Sequence, residues 1–581
     1  MCKAISNTPP TLAKGFEETN MHARIDRRGQ LPENGFRIGK ESQVLMMVKG
    51  GRCGRVRLKQ GEALQIELHF KEKPTAPAAR LYSNLSASGE FCEVDMRAAG
   101  PGVFQIQCPT EKAGTFFFTL QYTMDGQQWY WLRGELWQLL VFPRPLQSLR
   151  LYTLIPTASG PMHQWKTVLQ RAAELGFNMV HLLPVTKQGG SQSPYAAADL
   201  FTLEPDFLPE GTDPSSMEIF EEFVEEAQRL GLGLCLDLVL NHVAIDSELA
   251  QRCPHWIYPD ATEPDGLKRN GFHGHDGFHK WDDLALINYQ HPDPRVRRAI
   301  WEHMEGYALF WGYYAAATGG MIRLDNLHST DPAFAMHITH KLRREYPDLG
   351  ILAELFTHPE ATQKILQHYA VDLLLATTWE HHFSGELRRY FRYIHETTPV
   401  IPWFTPINSH DSGVPAEEFA NVQATRPRYI LCALLGIGAT GLTQGVEVGI
   451  EEKINFIGRQ PVVPPSATQH DFWPLIQRTH ELMTHYSVFQ QQGNVEFLDH
   501  GHVAIIAAAR LSRTPGEPHA LVIANLDIHQ AQSILLDLQP IGLGQSSLTD
   551  AFSMHAWTLE GHTLHCTLEP CGFQVILIEK K

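Results

Sequence analysis

Beyond residue 148 the chain alternates between short apolar runs and longer amphipathic ones. LRLYTLIP (149–156) is an apolar run of strand length, and HQWKTVLQRAAEL (163–175) repeats its apolar residues at helical spacing until Gly176 stops it. NMVHLLPV (178–185) is again strand-like, EIFEEFVEEAQRL (218–230) helical, and LGLCLDLVLNH (232–242) strand-like. Further strand-length runs are GMIRLD (320–325), GILAEL (350–355), VDLLLA (371–376), PWFTPIN (402–408) and ATGLTQG (439–445). Eight such strands with helical segments between most of them predict an α/β chain built on a (β/α)8 barrel, a TIM barrel, over 147–492. The interval after the third strand is longer than one βα unit needs. It predicts an excursion over the barrel mouth at about 243–300.

The flanks follow a period of two. QIELHF (65–70), FFFTLQY (116–122) and WYWLRGEL (129–136), separated by Gly, Pro and Asp turns, predict an antiparallel N-terminal β-sandwich over 36–146. Trp129, Trp131 and Trp137 in it read as core or interface residues before they read as a glycan platform. Alternation returns in VAIIAAARL, ALVIANLDI, SILLDL and GFQVILIE, predicting a C-terminal antiparallel β-domain over 493–581. Residues 1–35 carry no sustained period and read as a loose tail.

Composition narrows the function classes. With 581 residues, 43% hydrophobic and 19% charged, the chain is globular and large enough for several domains. A net charge of −16 disfavours nucleic acid and anionic membranes as partners. No apolar run is long enough to span a bilayer, and the first twenty residues lack the apolar stretch of a signal peptide. Nine scattered cysteines without CxxC spacing predict neither a disulfide framework nor a zinc site, and point to a reducing cytoplasm. Abundant His and aromatic residues suit a neutral polar ligand such as a sugar.

In a barrel the chemistry gathers at the C-terminal ends of the strands. There the sequence carries Asp237, Asn241 and His242 on the third strand, Arg323 and Asp325 on the fourth, Glu354 on the fifth, and His410 and Asp411 after the seventh. Arg323 and Asp325 are two apart and so point to one side. Three carboxylates at one end of one barrel match the needs of retaining glycoside cleavage: a nucleophile and a protonated acid about 5 Å apart. The nucleophile needs a lowered pKa, which Arg323 is expected to give Asp325. A third carboxylate can stabilise an oxocarbenium-like charge.

GLCLDLVLNH, GMIRLDNLHS, GILAELF and INSHDS together resemble the four sequence regions of the α-amylase superfamily of glycoside hydrolases and transferases, in its order. SGPMHQW (159–165), GFNMVHLLPVTKQGGSQSPYAAAD (176–199), RLDNLHST and AELFT are similar to the 4-α-glucanotransferase part of eukaryotic-type glycogen debranching enzyme. That family's separate α-1,6-glucosidase domain is not expected after the C-terminal β-domain. DNLHS and GVEVGIEEKINF (445–456) are also similar to bacterial maltosyltransferases that use maltose 1-phosphate, whereas SHDS fits the debrancher-like reading better.

The resemblance implies Asp325 as nucleophile, Glu354 as general acid/base and Asp411 as transition-state stabiliser. It implies that Arg323 fixes Asp325, that His242 and His410 hold hydroxyls of the glucose at the cleavage point, that Tyr195 stacks on it, and that Asp237 and His328 support the site. Trp281, in the excursion, is a further candidate for substrate contact. Each residue outside the acid trio also has a structural reading: Asp237 and Arg323 as an ion pair inside the barrel, His328 as a helix cap, Tyr195 as loop packing. Asn241 matches a calcium-ligand position of many amylases, but the excursion lacks a clear Asp cluster. His273, His275 and His279 in a Gly-rich loop fit one tetrahedral site poorly. No metal and no organic cofactor is therefore expected. The substrate expected is an α-glucan or maltooligosaccharide. A plain α-amylase-type hydrolase, a maltosyltransferase and a non-catalytic glucan-binding member are the alternatives.

Overall fold

Eight parallel strands form the centre of the longer part of the chain: β1 Leu149–Leu154, β2 Met179–Leu182, β3 Gly233–Val239, β4 Met321–Asp325, β5 Gly350–Ala353, β6 Leu373–Leu375, β7 Trp403–Phe404 and β8 Ala439–Thr443. This is a computed structural model. It describes residues 37–38, 43–49, 55–86, 90–132, 136–143, 146, 148–274, 277–397, 403–462, 471–544 and 546–579. The expected tail at 1–35 and His275 lie outside the described residues. The strands pair in the order β7-β6-β5-β4-β3-β2-β1-β8. The ring closes where the Thr405 and Ile407 amides donate to the Ala439 and Gly441 carbonyls, each at 2.9 Å. All eight strands lie where the apolar runs predict them.

Helices follow the strands: α1 Lys166–Glu174, α2 Glu218–Arg229, α3 Pro294–Ala317, α4 Pro332–Glu345, α5 Pro359–His368, α6 Ser384–Thr397, α7 Thr425–Leu434 and α8 Trp473–His485. Several start on proline, whose missing N–H is an orphan at that position anyway. Asp293 and Asp331 cap α3 and α4 by accepting from Arg295 and from Ala333 and Phe334. Backbones in the ring run so close that a Cβ on Gly320, at the entry to β4, would lie 2.1 Å from the Leu234 carbonyl oxygen. Only glycine fits there.

The excursion is more ordered than a bare loop. A strand, His242–Ala244, pairs with the second arm of a hairpin made of Arg269–Gly274 and Gly277–Leu286. Its end is set by the Asp293 cap of α3, several residues before the predicted boundary at 300.

Contacts divide the chain into two units, the boundary falling between Arg144 and Pro145. The C-terminal β-strands belong to the same unit as the barrel. In their main sheet Ile506, Ala508, Val522, Ala524 and Val575 join the barrel core. Ile505, Ala507, Leu521, Ile523 and Ile576, alternating with them, form a second core with the strand pair Gln532–Asp537 and Thr563–Leu568. Arg510 pins the main sheet to the barrel side. Fully buried, it donates to the carbonyls of Leu434, Gly436, Val488 and Gln491. Two of these lie at the C-terminal end of α7, where the helix dipole favours a cation. Burial holds its pKa down at about 9. Arg510→Met removes the shared donor of these carbonyls, only Val488 keeping another in Asn494 Nδ2, and should cost roughly 3–5 kcal/mol in denaturant unfolding. A loss under about 1 kcal/mol would mean that they find other donors.

The N-terminal unit packs a sheet of seven strands against one of four, around Leu64, Ile66, Leu68, Leu120, Leu139 and Val141. It departs from the expected antiparallel pattern at two places. Arg37–Ile38 pairs in parallel with Trp129–Trp131, and Trp137–Phe142 with Arg55–Lys59. The candidate platform rings are occupied by the protein itself. Trp131 is buried, the Arg80 guanidinium lies 4.2 Å from the centre of the Trp129 ring, and Trp137 packs on Phe118.

Candidate active site

Strand register builds the site. β3 and β4 pair so that Asp237 lies beside Arg323 and Val239 beside Asp325. With alternation, Asp237, Arg323 and Asp325 share the inner face at the C-terminal end of the ring. Arg323, 3% exposed, organises them. Its Nη1 donates to both Asp237 carboxylate oxygens at 3.0 and 2.9 Å and to Asp325 Oδ1 at 2.6 Å. Its Nη2 lies 2.9 Å from Glu354 Oε2. Asp325 and Glu354, the ends of adjacent strands and each 9% exposed, thus sit on the two amino groups of one guanidinium.

The turn after β4 completes this grip. Asn326 adopts the left-handed conformation with φ 43°, which Asn tolerates better than most residues because its short side chain can hydrogen-bond locally. Here the Asn326 carboxamide oxygen accepts from Ser329 Oγ at 2.9 Å, and the Asn326 amide donates to Glu354 Oε2, also at 2.9 Å. His328 follows on the same turn, exposed, with its ring 6.3 Å from that of Phe356.

Behind Arg323 runs a buried chain of hydrogen bonds. Thr153 Oγ1 meets His181 Nδ1 at 3.2 Å, and His181 Nε2 meets Asp237 Oδ2 at 3.2 Å. The Tyr195 hydroxyl donates to the same oxygen at 2.8 Å and lies 2.6 Å from His410 Nε2. That His410 nitrogen is also 3.2 Å from Asp411 Oδ2. The Tyr195 and His410 rings lie nearly parallel, 9° apart, with centroids 5.5 Å apart. Asp411, its side chain 53% exposed, lies at the rim of the cluster. Phe456, after β8, packs edge-on against both Tyr195 and His410, and the Lys453 ammonium donates to the Asp411 carbonyl at 2.6 Å.

From the excursion, Asn270 Nδ2 donates to His242 Nδ1 at 2.8 Å, and His242 Nε2 donates to the Tyr195 carbonyl at 3.1 Å. Both ring nitrogens of His242 are used inside the protein, so this ring braces the Tyr195 loop. Burial holds its pKa down at about 4, so it is neutral near pH 7. Trp281 sits half-buried, its ring 6.4 Å from His242.

The electrostatics correct one expectation. Burial, with Glu354 and Asp237 close by, pushes the Asp325 carboxyl well above the usual range, and Arg323 opposes this without cancelling it. The reason is division: one guanidinium serves three carboxylates. At Asp237, burial acts in the same upward direction, but Arg323 and His181 prevail and hold the carboxyl below the usual range. Burial and the nearby Arg323 cation keep His410 neutral. Asp237 thus stays ionised behind Arg323, while ionising Asp325 for attack carries a desolvation cost.

Among the described residues no group of His, Cys, Asp and Glu is arranged to hold a metal ion. Among the described residues neither amide atom of the buried Asn241 finds a hydrogen-bond partner. Sequence reasoning missed His181, Asn270, Asn326 and Phe456. His181 carried a signal, a lone polar residue in an otherwise apolar strand. The others reach the cluster only through the hairpin, the left-handed turn and the β8 loop.

Residues 143–265 match the family model of the glycogen debranching enzyme glucanotransferase domain. The alpha-1,4-glucan:maltose-1-phosphate maltosyltransferase of Salinibacter ruber is 24% identical over 441 residues, covering 68% of this chain and 61% of that protein. The intracellular maltogenic amylase of Bacillus subtilis is 21% identical over 349 residues, covering 56% of this chain and 55% of that protein. The chain spans about three fifths of the length of the curated maltosyltransferases it matches. Among solved structures a cyclomaltodextrinase covers 90% of this chain and 97% of its own, at TM-score 0.59 and 16% identity. An alpha-amylase from Lactobacillus plantarum covers 74% and 99%, at TM-score 0.58 and 18% identity. The fold is therefore that of α-amylase-type barrels.

Proposed function

We propose that this α-amylase-type chain is a retaining enzyme of α-1,4-glucans, a 4-α-glucanotransferase acting on glycogen or maltooligosaccharides. The observation that carries the reading is the pair of carboxylates, Asp325 and Glu354, gripped by the two amino groups of Arg323 at adjacent strand ends. In the proposed cycle Glu354 protonates the glycosidic oxygen as Asp325 attacks the anomeric carbon. The bond to the leaving chain breaks and an ester to Asp325 forms. Glu354, now a carboxylate, takes the proton of an acceptor hydroxyl whose oxygen displaces Asp325. Asp411 stabilises the positive charge that develops on the sugar. Tyr195, held upright by Asp237 and His410, offers its ring to the sugar at the cleavage point, and His410, His328 and Trp281 bind hydroxyls or ring faces around it. Asp237 and His242 act through others, the first by orienting Arg323 and Tyr195, the second by bracing the Tyr195 loop.

The test is incubation with one pure maltooligosaccharide, following the chain-length ladder and the reducing ends together. Transfer gives longer as well as shorter products with little gain in reducing ends, because a held sugar outcompetes water for the glycosyl enzyme. Only shorter products, with reducing ends rising in step, would make the enzyme a hydrolase. A second reading is favoured by the similarity to maltose-1-phosphate maltosyltransferases over two thirds of the chain. Transfer from maltose 1-phosphate with release of inorganic phosphate would establish it. The enzyme is proposed to work in the cytoplasm, a site supported by the free state of the seven cysteines among the described residues.

A further inference from the structure

The excursion hairpin carries a line of rings on one face. Phe272 stands opposite His279 in the register, and their rings stack at 4.9 Å with 18° between planes. The Phe272 ring is 5.6 Å from that of Trp281, two residues on from His279, and Trp281 is 6.4 Å from His242. Direct and diagonal cross-strand contacts of this kind join residues of one face. A Cβ on Gly271 would lie 2.1 Å from the His279 carbonyl oxygen, so the two arms meet closely just where the ring pair forms. Lys280 alternates to the opposite face, where its ammonium sits between Glu263 and Asp282 at 2.9 and 3.0 Å.

Phe272 is 45% exposed. An aromatic ridge held in water by a thin hairpin is costly unless a ligand covers it. We infer that this face, from Trp281 out to Phe272 and His279, is a track for the stretch of α-glucan chain beyond the glucose units at the cleavage point. The inference rests on the α-glucan reading above. Continuity with the catalytic cluster selects this occupant. Trp281 packs on Ala196 and Ala244, neighbours in the chain of Tyr195 and the His242 strand, so a polymer leaving the cluster on this side meets Trp281 first and Phe272 next. Uncharged ring faces suit the C–H faces of a neutral sugar chain. Their function is to favour long chains over short ones.

The test compares maltotriose with maltoheptaose on the full chain. Phe272→Ala should raise KM for maltoheptaose about five-fold, as loss of one aromatic contact implies, and change KM for maltotriose much less. Phe278→Ala, one residue along and on the opposite face, is the control and should leave both values near wild type. Equal shifts for both sugars, or no shift with Phe272→Ala in an enzyme that turns over α-glucans normally, would overturn the track alone. Absence of any α-glucan turnover by the wild-type protein would overturn the proposed function and the track with it.

Discussion

Asp325→Asn and Glu354→Gln should each lower turnover on maltooligosaccharides by about 10³-fold or more while leaving the protein folded. Each change keeps the shape of the side chain and the hydrogen bonds that an amide can supply, but removes the nucleophile in one case and the transferable proton in the other. The stability readout separates this from a structural role. Burial raises the pKa of Asp325 in the folded state above its unfolded value. Such a group contributes stability that is fully present below the unfolded pKa and is lost as pH rises through the folded one. The wild-type enzyme therefore bears a cost near neutral pH that an Asn does not. Asp325→Asn should melt at a higher temperature than wild type at pH 7, and the gap should close as pH falls below the ordinary Asp range. An inactive variant that is also less stable at pH 7 would mean that Asp325 serves the fold. Near-wild-type turnover in either variant would end the assignment.

The barrel was legible because each strand lies in a protein interior and so reads as an apolar run. The polar residues that interrupt such runs, Asp237, Arg323, Asp325 and Glu354, were conspicuous for the same reason. Alternation alone brought Arg323 and Asp325 to one side, and the β3–β4 register added Asp237. What the sequence could not convey was division of charge. That Arg323 serves Asp237, Asp325 and Glu354 together depends on three strands meeting, and it reverses the expected direction at Asp325. Asn270 was hidden because its partner, His242, is reached only after the chain folds back through the hairpin. Asn326 was hidden because what it gives Glu354 is a backbone amide, supplied by a left-handed turn that no residue pattern announces. The two parallel pairings of the N-terminal unit escaped for a similar reason, since a period of two gives the face of a strand but not the direction of its neighbour.

Arg323→Met and Arg323→Lys should divide what the guanidinium does into charge and geometry. In Arg323→Met, three carboxyls lose their common counter-charge in a buried site, so the pKa of Asp325 rises further. The acidic limb of kcat/KM, which reports the nucleophile in the free enzyme, should move to higher pH. Turnover at neutral pH should fall by roughly 10²–10³-fold. Stability should follow the same sign: carboxyls with raised folded pKa values hold their stability in acid and lose it as pH rises, so this variant should lose more stability between acid and neutral pH than wild type. In Arg323→Lys the positive charge returns on a single ammonium, which cannot span Asp325 and Glu354 with two fixed amino groups while also holding Asp237. Its acidic limb should therefore lie nearer the wild-type position, while kcat stays depressed because the two carboxyls are no longer held in register. If the acidic limb stays at its wild-type pH in an active Arg323→Met enzyme, the guanidinium does not tune Asp325. If Arg323→Lys restores full turnover, charge alone is sufficient, and the two-amino grip on Asp325 and Glu354 is not what catalysis uses.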